Sequence, residues 1–186
     1  MHLTELAHQY LDQHLGVGHL AVDATAGNGH DCLKMAQIIG DTGKLIGIDL
    51  QVAAIEATRH RLNEAKVTCE LSLIEGDHAD VLKSLIPAHA NAVQAITFNL
   101  GYLPGSDKSI QTTPATTQLA LDCAQTLLAP VGILLVTAYR GHPGGLEEAE
   151  CVAQWMRKQE QLGAKIECHE PTANRTPPIL WIYQAA

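Results

Sequence analysis

The stretch Val22-Asp23-Ala24-Thr25-Ala26-Gly27-Asn28-Gly29-His30-Asp31 runs from an apolar strand through a glycine turn into a helix. Gly27 and Gly29 carry no side chain, so a ligand can approach the backbone there, and the helix that follows offers free N–H groups. In an open α/β sheet, ligands bind at the carboxyl ends of the strands, where this turn falls. Asp49 ends the next strand-like segment, and a carboxylate there accepts both hydroxyls of a ribose. Together these features predict a nucleoside cofactor. A dinucleotide fingerprint needs a third glycine, and Cys32 stands at that position. Asp23 would repel a pyrophosphate, but it suits a ligand carrying a sulfonium and an ammonium group. Both features favour S-adenosylmethionine over NAD. Helix capping alone accounts for Asp23 but not for its joint spacing with Asp49.

Around this stretch, helical and strand signals alternate with little slack. Leu3, Leu6, Ala7, Tyr10 and Leu11 have helical spacing, and Gly16 and Gly18 end that helix. Strands are expected over residues 19–24, 44–49, 67–74, 92–100, 132–139, 165–169 and 179–184. Helices are expected over 32–39, 52–65, 79–86, 116–128 and 146–161. Glu147, Glu148 and Glu150 sit in the first turns of the last helix, favourable at the positive end of its dipole. The βα alternation implies an α/β fold with a mostly parallel seven-stranded sheet and helices on both faces. The last two strands have no helix between them, so one strand runs antiparallel. No internal repeat or domain boundary is visible, and residues 1–186 read as one domain.

Composition limits the partners. The 186 residues include 12 Lys+Arg and 20 Asp+Glu, a formal charge of −8, with 46% hydrophobic and 4% aromatic residues. This supports a core of Leu, Ile, Val and Ala, and it excludes a broad basic face that grips nucleic acid by phosphate neutralisation alone. Cysteines 32, 69, 123, 151 and 168 are odd in number and form no CxxC pair, which fits neither a disulfide framework nor a zinc site. Reduced thiols in the cytoplasm are expected. No HxxxH or HExxH spacing supports a metal. There is no secretory signal and no apolar run of about 18 residues, so no membrane association is expected.

Two further loops carry polar groups toward the same end of the sheet. In Ile74-Glu75-Gly76-Asp77-His78, either Asp77 or His78 can lie along an adenine edge; a plain helix N-terminus also explains His78. After the fourth strand comes Phe98-Asn99-Leu100-Gly101-Tyr102-Leu103-Pro104-Gly105-Ser106-Asp107-Lys108. A Pro-Gly turn explains Leu103 to Gly105 but not Asn99 at the strand end.

At these residues the chain resembles a known group. The glycine stretch through Asp31, Asp49-Leu50-Gln51, the segment from Asn99 to Lys108, and Tyr139-Arg140-Gly141-His142-Pro143-Gly144-Gly145 are similar to the small class I methyltransferases labelled rRNA methylases. Members of this family are implicated in methylating the aminomethyl nitrogen of 5-aminomethyl-2-thiouridine at the tRNA wobble position. The resemblance covers nearly the whole chain and implies a Rossmann-like class I methyltransferase fold. It also implies a monomer or homodimer acting on the anticodon loop of tRNA. The usual Asp-Ile-Gln reads Asp49-Leu50-Gln51, and Cys32 occupies a position where Thr is common. By matching positions, Asn28, His30, Asp49, Gln51 and His78 are expected to bind S-adenosylmethionine. Asp23, Thr25, Gly27, Gly29, Asp31 and Asp77 complete that pocket. Asn99, Tyr102, Asp107, Tyr139 and His142 are expected around the acceptor.

For methyl transfer to an amine, Asn99 can orient the nitrogen through its carbonyl, and either Asp107 or His142 can accept a proton. Either Tyr102 or Tyr139 can stack on the base. Lys108 and Arg140, with Arg175 nearby, form a small positive rim that can hold RNA through a few phosphates. A small-molecule or rRNA methyltransferase, a NAD-linked oxidoreductase and a non-catalytic cofactor-binding scaffold are the alternatives.

Overall fold

Alternate residues along the strands supply two separate apolar layers. In the computed structural model, Val22, Ile46, Ile96 and Leu134 belong to one buried cluster, while Ala21, Leu45, Ala95, Ile133 and Leu135 belong to another. A strand with both faces covered reads as a continuous apolar run, and its period of two deals successive side chains to opposite layers. The structure describes residues 2–101, 112–171 and 176–185.

The described elements run α1 (Leu3–His14), β1 (Leu20–Asp23), α2 (His30–Ile39), β2 (Lys44–Asp49), α3 (Val52–Glu64), β3 (Glu70–Glu75) and α4 (His78–His89). They continue with β4 (Val93–Leu100), α5 (Pro114–Leu127), β5 (Leu128–Ala138), α6 (Gly145–Gln161), β6 (Lys165–His169) and β7 (Ile179–Gln184). The seven-stranded sheet has the order β3-β2-β1-β4-β5-β7-β6. β1 to β5 pair in parallel, and β7 runs antiparallel to both β5 and β6, as the missing last crossover helix requires. Leu11, Met35, Ile39 and Leu62 bring α1, α2 and α3 onto one face. Leu82, Leu121, Trp155 and Met156 bring α4, α5 and α6 onto the other.

Several boundaries differ from the sequence reading: α2 starts at His30 and not at 32, β3 runs Glu70–Glu75 and not 67–74, and three further shifts have local causes. α4 continues through Pro87 to His89, so it does not end before the proline; Pro87 lies in the last turn, where only one ladder bond is lost. α5 starts at Pro114, because Thr113 caps it, accepting from the Thr116 N–H, and proline suits the first helical position. β5 starts at Leu128, paired with Val93 ahead of a register shift, and the intervening Val131 takes φ 58° and stays exposed.

Strand order also places the site. β1 lies between β2 and β4, so the chain reverses its direction of winding there and leaves a crevice at the carboxyl ends of those strands.

Candidate functional site

The glycine turn is held by three elements: β2, β4 and α3. Ala24 and Ala26 N–H donate to the carbonyls of Thr97 on β4 and Ile48 on β2. Thr25 Oγ1 accepts from the Asn99 N–H at 2.6 Å. From α3, Thr58 Oγ1 donates to the Gly27 carbonyl at 3.2 Å and Arg61 Nε to the Asn28 carbonyl at 2.6 Å. Gly29 takes φ 77°, and a Cβ there would stand 2.8 Å from the Thr58 Cα, so only glycine fits. The role of a third glycine, close approach of helix to sheet, passes to Gly47 on β2: a Cβ there would come 3.2 Å from Cys32 Sγ.

The crevice is a cavity of about 730 Å³. At one end Asp49, Leu50 and Gln51 face Asp77 and His78 across Gly76. Asp49 Oδ2 accepts from the Gly27 N–H at 2.9 Å and Oδ1 from the Gln51 N–H at 3.0 Å. Each oxygen keeps a second lone pair for a diol. Leu50 is 51% exposed, an apolar surface for a nucleobase. Asp77 caps α4 through the Ala79 N–H at 2.8 Å. His78 is buried against Phe98, and its Nε2 has no hydrogen-bond partner among the described residues. Burial holds its imidazole below the ordinary value, against the pull of Asp77 and Glu148, so the ring is neutral near pH 7.

In the middle lie Thr25, Gly27, Asn28, His30 and Asp31; at the far end lie Asn99, Gly101, Thr112, Tyr139, Arg140 and His142. Asp31 Oδ2 accepts from Asn99 Nδ2 at 2.8 Å, and Asp31 Oδ1 accepts from His8 Nε2 at 2.8 Å. Burial alone would raise Asp31, but the bonds from His8 and Asn99 outweigh it and keep the carboxyl below its ordinary value. Tyr139 is pushed above the ordinary phenol value by burial and by the charge of Asp31, so it stays protonated. His142 Nδ1 lies 3.0 Å from the Pro143 carbonyl. Its ring packs between Gly101 and Gly145, where added Cβ atoms would come 3.4 and 2.8 Å from Nε2. The backbones of Gly101 and Thr112 are hydrogen-bonded, and the Thr112 hydroxyl donates to buried Glu148 at 2.7 Å.

Most of the expected residues therefore meet in one cavity, with three differences. Asp23 is 1% exposed and lies behind the turn, accepting from the Thr25 N–H and Cys32 Sγ, so the carboxylate that faces the cavity is Asp31. Arg140 lines the cavity, but Nε donates to the Pro177 carbonyl at 2.7 Å and Nη2 pairs with Glu170 at 2.5 Å. That guanidinium is a bracket for the β6–β7 end before it is part of any rim. Tyr102, Asp107, Lys108 and Arg175 lie outside the described residues. Thr4 and His8 of α1, together with Thr58 and Arg61, were not read from the sequence as part of the site. No group of three or more His, Cys, Asp or Glu able to hold a metal occurs among the described residues.

Burial, with the nearby charge of Asp31, pushes Asp23 up from 3.8 to about 7, against the bonds from Cys32 and Thr25. A folded-state value above the unfolded one favours the protonated fold. That stability is fully present below pH ~4 and is lost as pH rises through ~7, by ~4 kcal/mol at most. Asp23→Asn is thus expected to raise the melting temperature at pH 8 and to raise it by a clearly smaller amount at pH 5, where only part of that loss has accrued. Equal effects at both pH values, measured by thermal denaturation, would remove this assignment.

The β3-β2-β1-β4-β5-β7-β6 order, with a glycine turn after β1 and an acid ending β2, defines the S-adenosylmethionine-dependent methyltransferase fold. Within that class, residues 45–184 match the family described as "Putative rRNA methylase", and the chain belongs to that family. It is 39% identical over 157 residues to an Arabidopsis thaliana protein named tRNA (mnm(5)s(2)U34)-methyltransferase, chloroplastic, covering 80% of this chain. The chain spans 57% of that relative's length. The crystal structure of a Clostridium thermocellum protein described as "putative rRNA-methylase" superposes with a TM-score of 0.90 at 33% identity, covering 98% of this chain and 97% of that one. SMU.1697c from Streptococcus mutans, described as "a putative methyltransferase" and solved with S-adenosylhomocysteine, superposes with a TM-score of 0.84 at 28% identity, covering 100% and 99%.

Proposed function

We propose that this protein transfers a methyl group from S-adenosylmethionine to the aminomethyl nitrogen of 5-aminomethyl-2-thiouridine at the wobble position of tRNA. The observation that carries the reading is the Asn99 carboxamide at the end of β4, tied by Nδ2 to Asp31 at the edge of the same cavity as Asp49 and Gln51. An amide nitrogen bonded to a carboxylate leaves its carbonyl oxygen to accept from another donor, and an amine N–H is such a donor.

The residues fit the cofactor. Asp49 suits a ribose diol, Leu50 suits an adenine face, and the Nε2 of buried, neutral His78, without a hydrogen-bond partner among the described residues, suits an adenine edge. Asp31 supplies the negative charge that a sulfonium and an ammonium group require. When bound, S-adenosylmethionine supplies an activated methyl group with a good leaving group. The chain's task is alignment, and well-oriented intramolecular reactions owe up to ~7–11 kcal/mol to it.

Asn99 Oδ1 accepts one N–H of the neutral amine and so fixes where the nitrogen lone pair points. As the N–C bond forms and the C–S bond breaks, the nitrogen becomes cationic and sheds one proton to Asp107, His142 or water. Protonated Tyr139 is no base at neutral pH; its half-exposed ring offers a stacking face for the uracil. The relative's name supports the tRNA acceptor, and the family description keeps rRNA as an outcome to be tested.

The same reading places the protein in the cytoplasm as a monomer or homodimer. All five cysteines are free, and no helix of the described residues is long and apolar enough to cross a membrane. Calorimetry with S-adenosylmethionine and with NADH tests the cofactor: binding of the first alone is expected, and binding of NADH alone would overturn the reading. Lys108 is the better probe of an RNA rim, because Arg140 has internal partners. Lys108→Ala is expected to raise the apparent KM for tRNA by about 3–10-fold and to lower the salt slope by about one. Unchanged tRNA kinetics from low to moderate salt would count against that rim.

A further inference from the structure

Helix α1 precedes the nucleotide-binding unit of the sheet, yet it is fastened with more than its apolar face. Ala7 and Leu11 bury that face. Asp12 pairs with Lys34 of α2 at 2.6 Å, and the Tyr10 hydroxyl donates to Glu167 of β6 at 2.6 Å. Thr4 and His8, one turn apart and therefore on one face, are carried to the rim: Thr4 lines the cavity and His8 reaches Asp31. The side chains of His8 and Asp31 are 26% and 15% exposed, so their contact is largely withdrawn from water.

The chemistry of this contact fixes two hydrogen positions. The Asp31 carboxylate has only lone pairs to offer, so the His8 nitrogen 2.8 Å from Oδ1 carries its proton. For the same reason, the Asn99 atom 2.8 Å from Oδ2 is the amide nitrogen, and the Asn99 carbonyl is the end left for a substrate. A carboxylate held at one oxygen still swings about its own bond. Held at both, by His8 from α1 and Asn99 from β4, its plane is set.

We infer that His8 is a positioning residue for methyl transfer: by holding Asp31, it fixes the Asn99 carboxamide with Oδ1 toward the acceptor nitrogen, which makes α1 part of the active site. The role rests on the amine-methylating reading above, since it orients the group assigned to the amine. His8 reaches Asp31 without itself lining the cavity, so it acts through Asp31.

Two variants of similar size separate donor from packing. His8→Gln places an N–H near the position of the imidazole Nε2, while His8→Met fills the space without a donor. With tRNA lacking the wobble methyl, His8→Met is expected to lower kcat by about 10–100-fold, as for loss of one charge-assisted bond expressed in the transition state. His8→Gln is expected to stay within about 3-fold of wild type, with similar melting temperatures and cofactor affinities for both. The Asn99 side-chain amide proton resonances, recorded without substrate, are expected to shift in His8→Met and to hold in His8→Gln. Equal kcat for the two variants, or wild-type Asn99 resonances in His8→Met, overturns the inference. If wild-type protein methylates no RNA at all, the amine reading fails, and the Asn99 resonances still decide whether His8 sets that amide.

Discussion

Asn99→Ala lowers kcat by about 10²–10³-fold while S-adenosylmethionine affinity changes by less than about 2-fold, because the lost carboxamide acts on the acceptor and not on the cofactor. Its backbone N–H bond to Thr25 Oγ1 does not depend on the side chain, so the base of the glycine turn keeps its geometry. The variant does release one bond on Asp31, and His8 continues to hold the other oxygen. Single-turnover rates alongside calorimetric affinities separate the two quantities. Near-normal turnover would remove Asn99 from the chemistry, and a matching loss of affinity would make it part of the cofactor pocket.

Asp49→Ala acts at the other end. Its two oxygens anchor the Gly27 and Gln51 N–H groups and are the acceptors offered to a ribose. Charge-assisted bonds are each worth about 1.5–3 kcal/mol, so losing the ribose contacts alone weakens cofactor binding by at least about 100-fold. Removing the two backbone anchors also loosens the turn that His30 and Asn28 occupy. Titration of the variant with S-adenosylhomocysteine measures this directly; an affinity within about 5-fold of wild type would mean that the ribose is held elsewhere.

The parts of this architecture that were legible in the sequence depend on local pattern. β6 and β7 could be bounded to the residue because each is a short run of strand-forming residues set between turn formers. The glycine turn and Asp49 stood out because their spacing along the chain is itself the signal. What stayed hidden was set by packing between distant segments. His8 is one of ten histidines, and nothing near it in sequence marks it; its partner lies 23 residues away, beyond β1 and at the start of α2. Arg140 read as a free cation, but Glu170 and Pro177, 30 and 37 positions away in sequence, claim it. Asp23 was expected to face the ligand, but its carboxyl is buried against the Thr25 N–H and Cys32 Sγ. The acidity noted at the outset has a local explanation as well: Asp31, Asp49, Asp77 and Glu148 all hold hydrogen bonds that shape the cavity or its walls.

The most direct measurement is transfer to RNA of defined modification state. Bulk tRNA and rRNA from cells lacking the wobble methyl are incubated with the protein and methyl-labelled S-adenosylmethionine, then digested to nucleosides and read by mass spectrometry. Label confined to 5-methylaminomethyl-2-thiouridine, with an equal loss of 5-aminomethyl-2-thiouridine, is the expected result. Label in rRNA nucleosides, or none in either RNA from protein that binds the cofactor, would contradict it.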